Sequence, residues 1–293
     1  REGKACDYGY WELVPLDGGK KTAALYNLYS TPQGYLLKKI IKKNPQLHIS
    51  TILSTALIVG QKTKVRAEGD RPLPPEHGGS LTEKDVIGNG FEALGSRGIF
   101  LLIEEPDAQG RKFVTGGTLV RGSPLRMWDS ITDLNARPII FPEVEKTVLL
   151  SEDHEAQLTQ LDLKINFVLF SRRHSLVLKN VMDKPRRLSS SWVKGDAQGT
   201  ASTWDLFPVN GGKETLAVHR YYSDLMSTSF IARYILSRQP AFDVAFKASW
   251  VSSVVKGFKA WTEMSEEQRE EARTVRAKER KASYERYPAI PGY

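Results

Sequence analysis

Between residues 160 and 170 the apolar side chains Leu161, Leu163, Ile165, Phe167 and Leu169 alternate with Asp162, Lys164, Asn166 and Val168. That two-residue period predicts a strand in a sheet with one dry face. His174–Val181 and Arg187–Lys194 read as its antiparallel neighbours, with Asp183, Lys184 and Pro185 forming the turn. Upstream, Gly98–Glu104 predicts a buried strand that turns at Asp107–Gly110 to pair with Lys112–Leu119. Pro124 suits a helix start, Trp128 and Ile131 share one face of that helix, and Pro138 and Pro142 close the region. Ser80 and Glu83 have capping-box spacing, which predicts a short helix from about Leu81. The longest helical pattern carries Phe242, Phe246, Trp250, Val254, Gly257 and Trp261 at three- and four-residue spacing. Beyond it Ser265 and Gln268 form another capping box, followed by an almost wholly charged run with Glu266/Arg269 and Glu270/Arg273 pairs. Without an apolar stripe, this run predicts a solvated helical extension, and its closing Tyr284, Tyr287, Ile290 and Tyr293 are candidate anchors for a protein partner.

The pattern occurs twice. Trp11, Leu13, Pro15, Gly18, Gly19, Lys20, Thr22, Ala24, Tyr29 and Ser30 align without a gap on Trp204, Leu206, Pro208, Gly211, Gly212, Lys213, Thr215, Ala217, Tyr222 and Ser223. Each copy reads as strand, tight Gly-Gly turn, strand, then a helix broken at Asn44-Pro45 or Gln239-Pro240, and a longer helix after it. The expected domains are residues 1–69 (the C-terminal part of a first copy), a Pro/Gly-rich linker over 70–110, a complete second copy over 111–263, and a charged tail over 264–293. The first copy lacks most of what precedes the hairpin in the second, so about eighty further residues are expected before Arg1.

Composition narrows the function classes. In 293 residues, 40% apolar and 26% charged side chains are those of a folded globular chain. The formal net charge of +8 favours anionic partners. Within Tyr35–Lys43 the residues Leu36, Leu37, Ile40 and Ile41 occupy one helical face and Lys38, Lys39, Lys42 and Lys43 the other, which suits an anionic membrane surface; nucleic acid is not an expected partner. No stretch reaches the roughly twenty apolar residues of a spanning helix, so a soluble or peripheral membrane protein of unassigned compartment is expected. With Cys6 alone, neither an internal disulfide nor a multi-cysteine zinc site is available.

Motifs of catalysis are absent from the sequence. The five histidines make no HExxH pair, and no phosphate loop or nucleophile elbow is present. No catalytic residue, cofactor or metal is therefore expected. His174, His219, Tyr221 and Tyr234 are the polar side chains best suited to a pocket. His219 stands out because Tyr26 fills its place in the other copy.

The order of these elements, with Trp128, Asp129, Asp133, Pro138, Pro142, Lys194-Gly195-Asp196, Trp204, Pro208, Gly211, Gly212 and Thr215, resembles the START-like superfamily. This group is also called SRPBCC and takes in polyketide cyclases, lipid-transport proteins and coenzyme-Q-binding proteins. The resemblance implies an α+β helix-grip fold, a curved antiparallel sheet around a long C-terminal helix, here in two tandem copies. It implies a cavity for an apolar small molecule, lipid or quinone, with Phe167, Trp192, His219, Tyr221, Phe246 and Trp250 around it. The expected function is binding or carriage rather than catalysis. A cyclase or aromatase, or an assembly subunit with filled domains, are the alternatives.

Overall fold

The computed structural model describes residues 8–29, 90–104, 106–154, 156–166, 171–224 and 240–286, with isolated positions between 56 and 67. The basic segment 35–43 with Lys38, Lys39, Lys42 and Lys43, the capping box at 80–83, and Phe167 and Tyr234 lie outside the described residues, as does the Phe242 side chain.

Two strands open the fold, β1 (Tyr8–Leu16) and β2 (Lys21–Tyr29), and they form a sheet of their own. Helix α1 (Phe91–Arg97) follows, then β3 (Phe100–Ile103), β4 (Val114–Val120), α2 (Pro124–Thr132) and α3 (Arg137–Ile140). The long antiparallel run is β5 (Val144–Glu152), β6 (Ala156–Asn166), β7 (Ser171–Asp183), β8 (Arg187–Gly195), β9 (Ala201–Val209) and β10 (Glu214–Tyr222). Helices α4 (Pro240–Glu263) and α5 (Glu266–Arg286) complete the described chain.

Strands β3 to β10 make one open antiparallel sheet in the order β3-β4-β10-β9-β8-β7-β6-β5. The expected pairing of Gly98–Glu104 with the strand after Gly110 is present, with Phe100 opposite Gly117 and Ile103 opposite Val114. Helix α4 lies on one face, against β4, β10 and β3, and α2 packs against α4, β9 and β10. This is the α+β helix-grip arrangement. Its main core joins Val114, Val120, Met127, Trp128, Ile131, Val251, Val255 and Phe258 between sheet and helices. A smaller core on the opposite face gathers Phe100, Leu216 and Val218 with Phe91 and Leu94 of α1.

The hairpin geometry repeats with the sequence. Across β1–β2 Trp11 faces Tyr26, and across β9–β10 Trp204 faces His219. Their ring centroids are 4.8 Å and 4.4 Å apart. In both turns the paired glycines take left-handed backbone angles, φ 61° and 88° at Gly18 and Gly19, 66° and 81° at Gly211 and Gly212, which a side chain would disfavour.

Two expectations are corrected by the packing. Of the expected stripe on α4, Val254 and Trp261 are buried and Gly257 packs closely against Ile140 and Phe141, but Phe246 and Trp250 are only half-buried, and the deepest line is Ala248, Val251, Val255, Phe258 and Thr262, rotated from the expected one at its N-terminal end. The cause is Gly116 on β4, where a Cβ would stand 2.5 Å from Val251 Cγ1, so small residues bring the helix close at this crossing. The charged extension also has its capping box, Gln268 N donating to Ser265 Oγ at 3.2 Å and Ser265 N to Gln268 Oε1 at 2.9 Å. It is nevertheless docked rather than fully solvated. Arg269 donates to the carbonyls of Trp261 and Thr262, Arg276 to those of Pro138 and Pro142, and Arg273 faces Asp133 at 3.9 Å. An arginine stripe at helical spacing replaces the apolar stripe that the sequence lacks.

Candidate functional site

Strand alternation sorts the sheet's side chains into rows across the face that α4 covers. One row runs Met182, Leu188, Trp204, His219, each directly opposite the next on β7, β8, β9 and β10. Leu188, Trp204 and His219 are buried. Phe258 of α4 meets Trp204 edge-on at 5.7 Å, and Phe141 meets Phe258 at 5.1 Å. This part of the interface is filled.

Two residues further along the strands the chemistry changes. Asn180, Ser190, Ser202 and Tyr221 oppose one another in the same way. Polar side chains thus occupy the strand phase that elsewhere holds Leu176, Leu178, Leu188 and Leu206. Asn180 Nδ2 donates to Thr159 Oγ1 at 2.9 Å, and Ser190 Oγ donates to Asn180 Oδ1 at 2.7 Å, so the buried amide is held from both sides. Ser190, Ser202 and Tyr221 are only half-buried, in contrast to the filled row beside them. The N-terminal half of α4 reaches the β10 end of this row, with Trp250 6.1 Å from the Tyr221 ring.

His219 is 4% exposed, and its Nδ1 lies 3.1 Å from the Thr203 carbonyl oxygen. A carbonyl accepts and cannot donate, so Nδ1 carries the proton and Nε2 is an acceptor. Burial pulls the imidazole down to about 4, against the smaller opposing effect of that carbonyl, and keeps it neutral near pH 7. Burial likewise pushes the Tyr221 phenol up to about 12, despite its hydrogen bond with Ser223. Thr200 Oγ1 lies 3.2 Å from Ser223 Oγ and 2.6 Å from the Ala197 carbonyl oxygen. Neither ring exchanges a proton readily near neutral pH.

Of the residues expected around a ligand, Tyr221 belongs to this polar row, His219 and Trp192 lie two residues from it along β10 and β8, and Trp250 stands beside Tyr221. Trp192 lies two residues beyond Ser190 on β8, half-buried, and its indole N–H is directed to the carbonyls of Gly195 and Asp196 at 3.3 Å and 3.2 Å. Phe246 lies one turn before Trp250 on α4, half-buried. His174 is apart from them at the other end of β7, 3.8 Å from Asp196. Asn180, Ser190 and Ser202 were missed from sequence. The readable signal was their position, since each is polar where the alternation calls for an apolar side chain. Among the described residues no group of three or more His, Cys, Asp or Glu side chains is placed to hold a metal ion.

No protein-family model and no curated protein matches the sequence. Among solved structures, the chain is similar to an aromatase/cyclase from a Streptomyces species, at 15% identity and a TM-score of 0.42, over 52% of this chain and 93% of that one. It is also similar to a STAR-related lipid transfer protein from Xanthomonas axonopodis, at 12% identity and 0.41, over 58% and 96%. A third, the di-domain ARO/CYC StfQ of the steffimycin biosynthetic pathway, matches 88% of this chain and 69% of its own at 12% identity and 0.37. At these identities and TM-scores the likeness assigns no residue of this chain a role.

Proposed function

We propose that the chain binds an apolar small molecule, a lipid or a quinone, between the N-terminal half of α4 and the polar row of β8–β10, and carries it without transforming it. The supporting observation is the contrast within one interface. Leu188, Trp204 and His219 are buried, whereas Ser190, Ser202 and Tyr221 in the next row, and Phe246 and Trp250 on α4 with Trp250 beside Tyr221, keep partial exposure. An aromatic lining with a few placed polar groups suits such a ligand. The neutral imidazole of His219 and the un-ionised phenol of Tyr221 favour holding over acid–base work. In this reading residues 1–69 belong to a first copy of the domain, and Lys38, Lys39, Lys42 and Lys43 bring the protein to anionic membranes, at about 1 kcal/mol each.

Organic extraction and native mass spectrometry of the full chain test the reading. A co-purifying apolar compound is expected, reduced in Trp250→Ala, as is flotation with anionic vesicles that weakens with salt and with Lys→Gln at the four lysines. Absence of any apolar adduct together with no uptake of a hydrophobic fluorophore would sink it. Chemical conversion of the bound compound by purified protein would favour a cyclase-type enzyme instead.

A further inference from the structure

Between α5 and the region of α3 runs a groove of about 480 Å³. Ile139 and Pro142 form one wall, and Met264, Ala272 and Val275 line the other. Its walls are tied together, because the Arg276 guanidinium donates to the carbonyls of Pro138 and Pro142 and so fixes α5 against the turn after α3. Val275 is the one large apolar residue between Glu266 and Ser283. It sits near the middle of this 21-residue helix and is 49% exposed, so a partner lying in the groove would take apolar surface out of water.

Charge says what kind of partner fits. Arg269, Arg273 and Arg276 are engaged with the domain. Of the other charged side chains, Glu267, Glu270 and Glu271 are exposed in the first half of α5, and exposed Lys278 opens a second half that continues with Arg280 and Lys281 in the sequence. The helix dipole accounts for this polarity in a lone helix, but not for the apolar groove beside it. A helix of the same polarity laid antiparallel brings acidic against basic at both ends, whereas a parallel one opposes like charges. The chain itself supplies such a helix. A two-fold axis near Val275 seats each copy's α5 against the groove of the other, an isologous contact that closes on itself.

We infer that α5 is a self-association surface, on which a second copy of this chain docks its own α5 antiparallel, with Val275 at the centre and acidic-to-basic pairing at both ends. A helix about 30 Å long makes a small interface, so the dimer is weak, on the order of micromolar, and salt-sensitive.

Sedimentation equilibrium of the full chain over a micromolar range, at low and high salt, tests this. A monomer–dimer equilibrium that shifts towards monomer with salt is expected. Val275→Glu, at an exposed position, abolishes the dimer. Glu267→Lys/Glu271→Lys and Lys278→Glu/Lys281→Glu each weaken self-association about ten-fold, and an equimolar mixture of the two restores it, because each end of one then faces the opposite charge of the other. Far-UV circular dichroism checks that each variant is folded, and recovery in the mixture is a gain that unfolding does not produce. A chain that stays monomeric at low salt, a dimer indifferent to Val275→Glu, or folded charge variants whose mixture does not re-associate overturns the inference. A monomer that dimerises only once residues 287–293 are removed shows that the chain's own tail takes the groove, and overturns it too.

Discussion

Gly116→Ala tests the crossing that decides how α4 sits on the sheet. The position is an interior strand residue with no left-handed backbone angle, so alanine meets no backbone penalty and would by itself slightly favour the strand. Its methyl group, however, would stand 2.5 Å from Val251 Cγ1 and 2.9 Å from Leu101 Cδ2. Val251 is fully buried and has nowhere to turn. Overpacking of this kind costs about 1–3 kcal/mol. Val251→Ala alone removes two buried methyl groups and leaves a small void, costing about 2 kcal/mol. In the double variant the new methyl occupies the space that the valine vacates, so the costs do not add, and a favourable coupling of at least about 1 kcal/mol is expected. Urea unfolding of the four proteins, read by fluorescence and circular dichroism, measures the cycle. Strict additivity, or a Gly116→Ala variant as stable as the parent, would show that the helix does not touch the sheet at this point and would refute the account of why its buried stripe is rotated.

His219→Phe tests the buried neutral imidazole. A group held near 4 in the folded state and at 6.5 when unfolded stabilises the fold fully above 6.5, and that contribution is lost as pH falls from 6.5 towards 4. The loss amounts to about 3 kcal/mol, so denaturant midpoints should fall less steeply over that range in the Phe variant, and parallel pH profiles would refute the assignment. Replacing Arg269, Arg273 and Arg276 together by Gln should raise amide exchange along α5 while leaving that of β6–β10 unchanged. Unaltered protection of α5 would mean that the arginine stripe does not hold it.

The parts of the fold legible in the sequence were those specified by local patterning. The Gly-Gly hairpins, the β3–β4 pairing and the Pro124 start of α2 follow from turn, alternation and proline chemistry within a few residues, and the structure adds a cap there, Ser123 Oγ accepting from Arg126 N at 3.3 Å. The N-terminal part of the α4 stripe, at Phe246 and Trp250, was misplaced because a helix's buried face is chosen by its partner, and Gly116 lies far away in the chain, whereas Val254 and Trp261 are buried as expected. Docking of α5 was illegible for a related reason. Its partners are backbone carbonyls, which every sequence possesses and no side-chain pattern advertises. For the site, His219 and Tyr221 were found because they are conspicuous residue types on the last strand. Asn180, Ser190 and Ser202 were not, because a row exists only once four strands are in register.

The arginine contacts of α5 have a consequence for how that helix comes off. A helix docked by an apolar stripe uncovers greasy surface on both sides when it leaves, which makes release costly and invites aggregation. Here the departing groups are guanidinium N–H donors and carbonyl oxygens, and water satisfies both kinds as they part. What undocking would uncover is chiefly the Trp261 ring, which the Arg269 and Arg273 guanidiniums overlie at 5.4 Å and 5.5 Å.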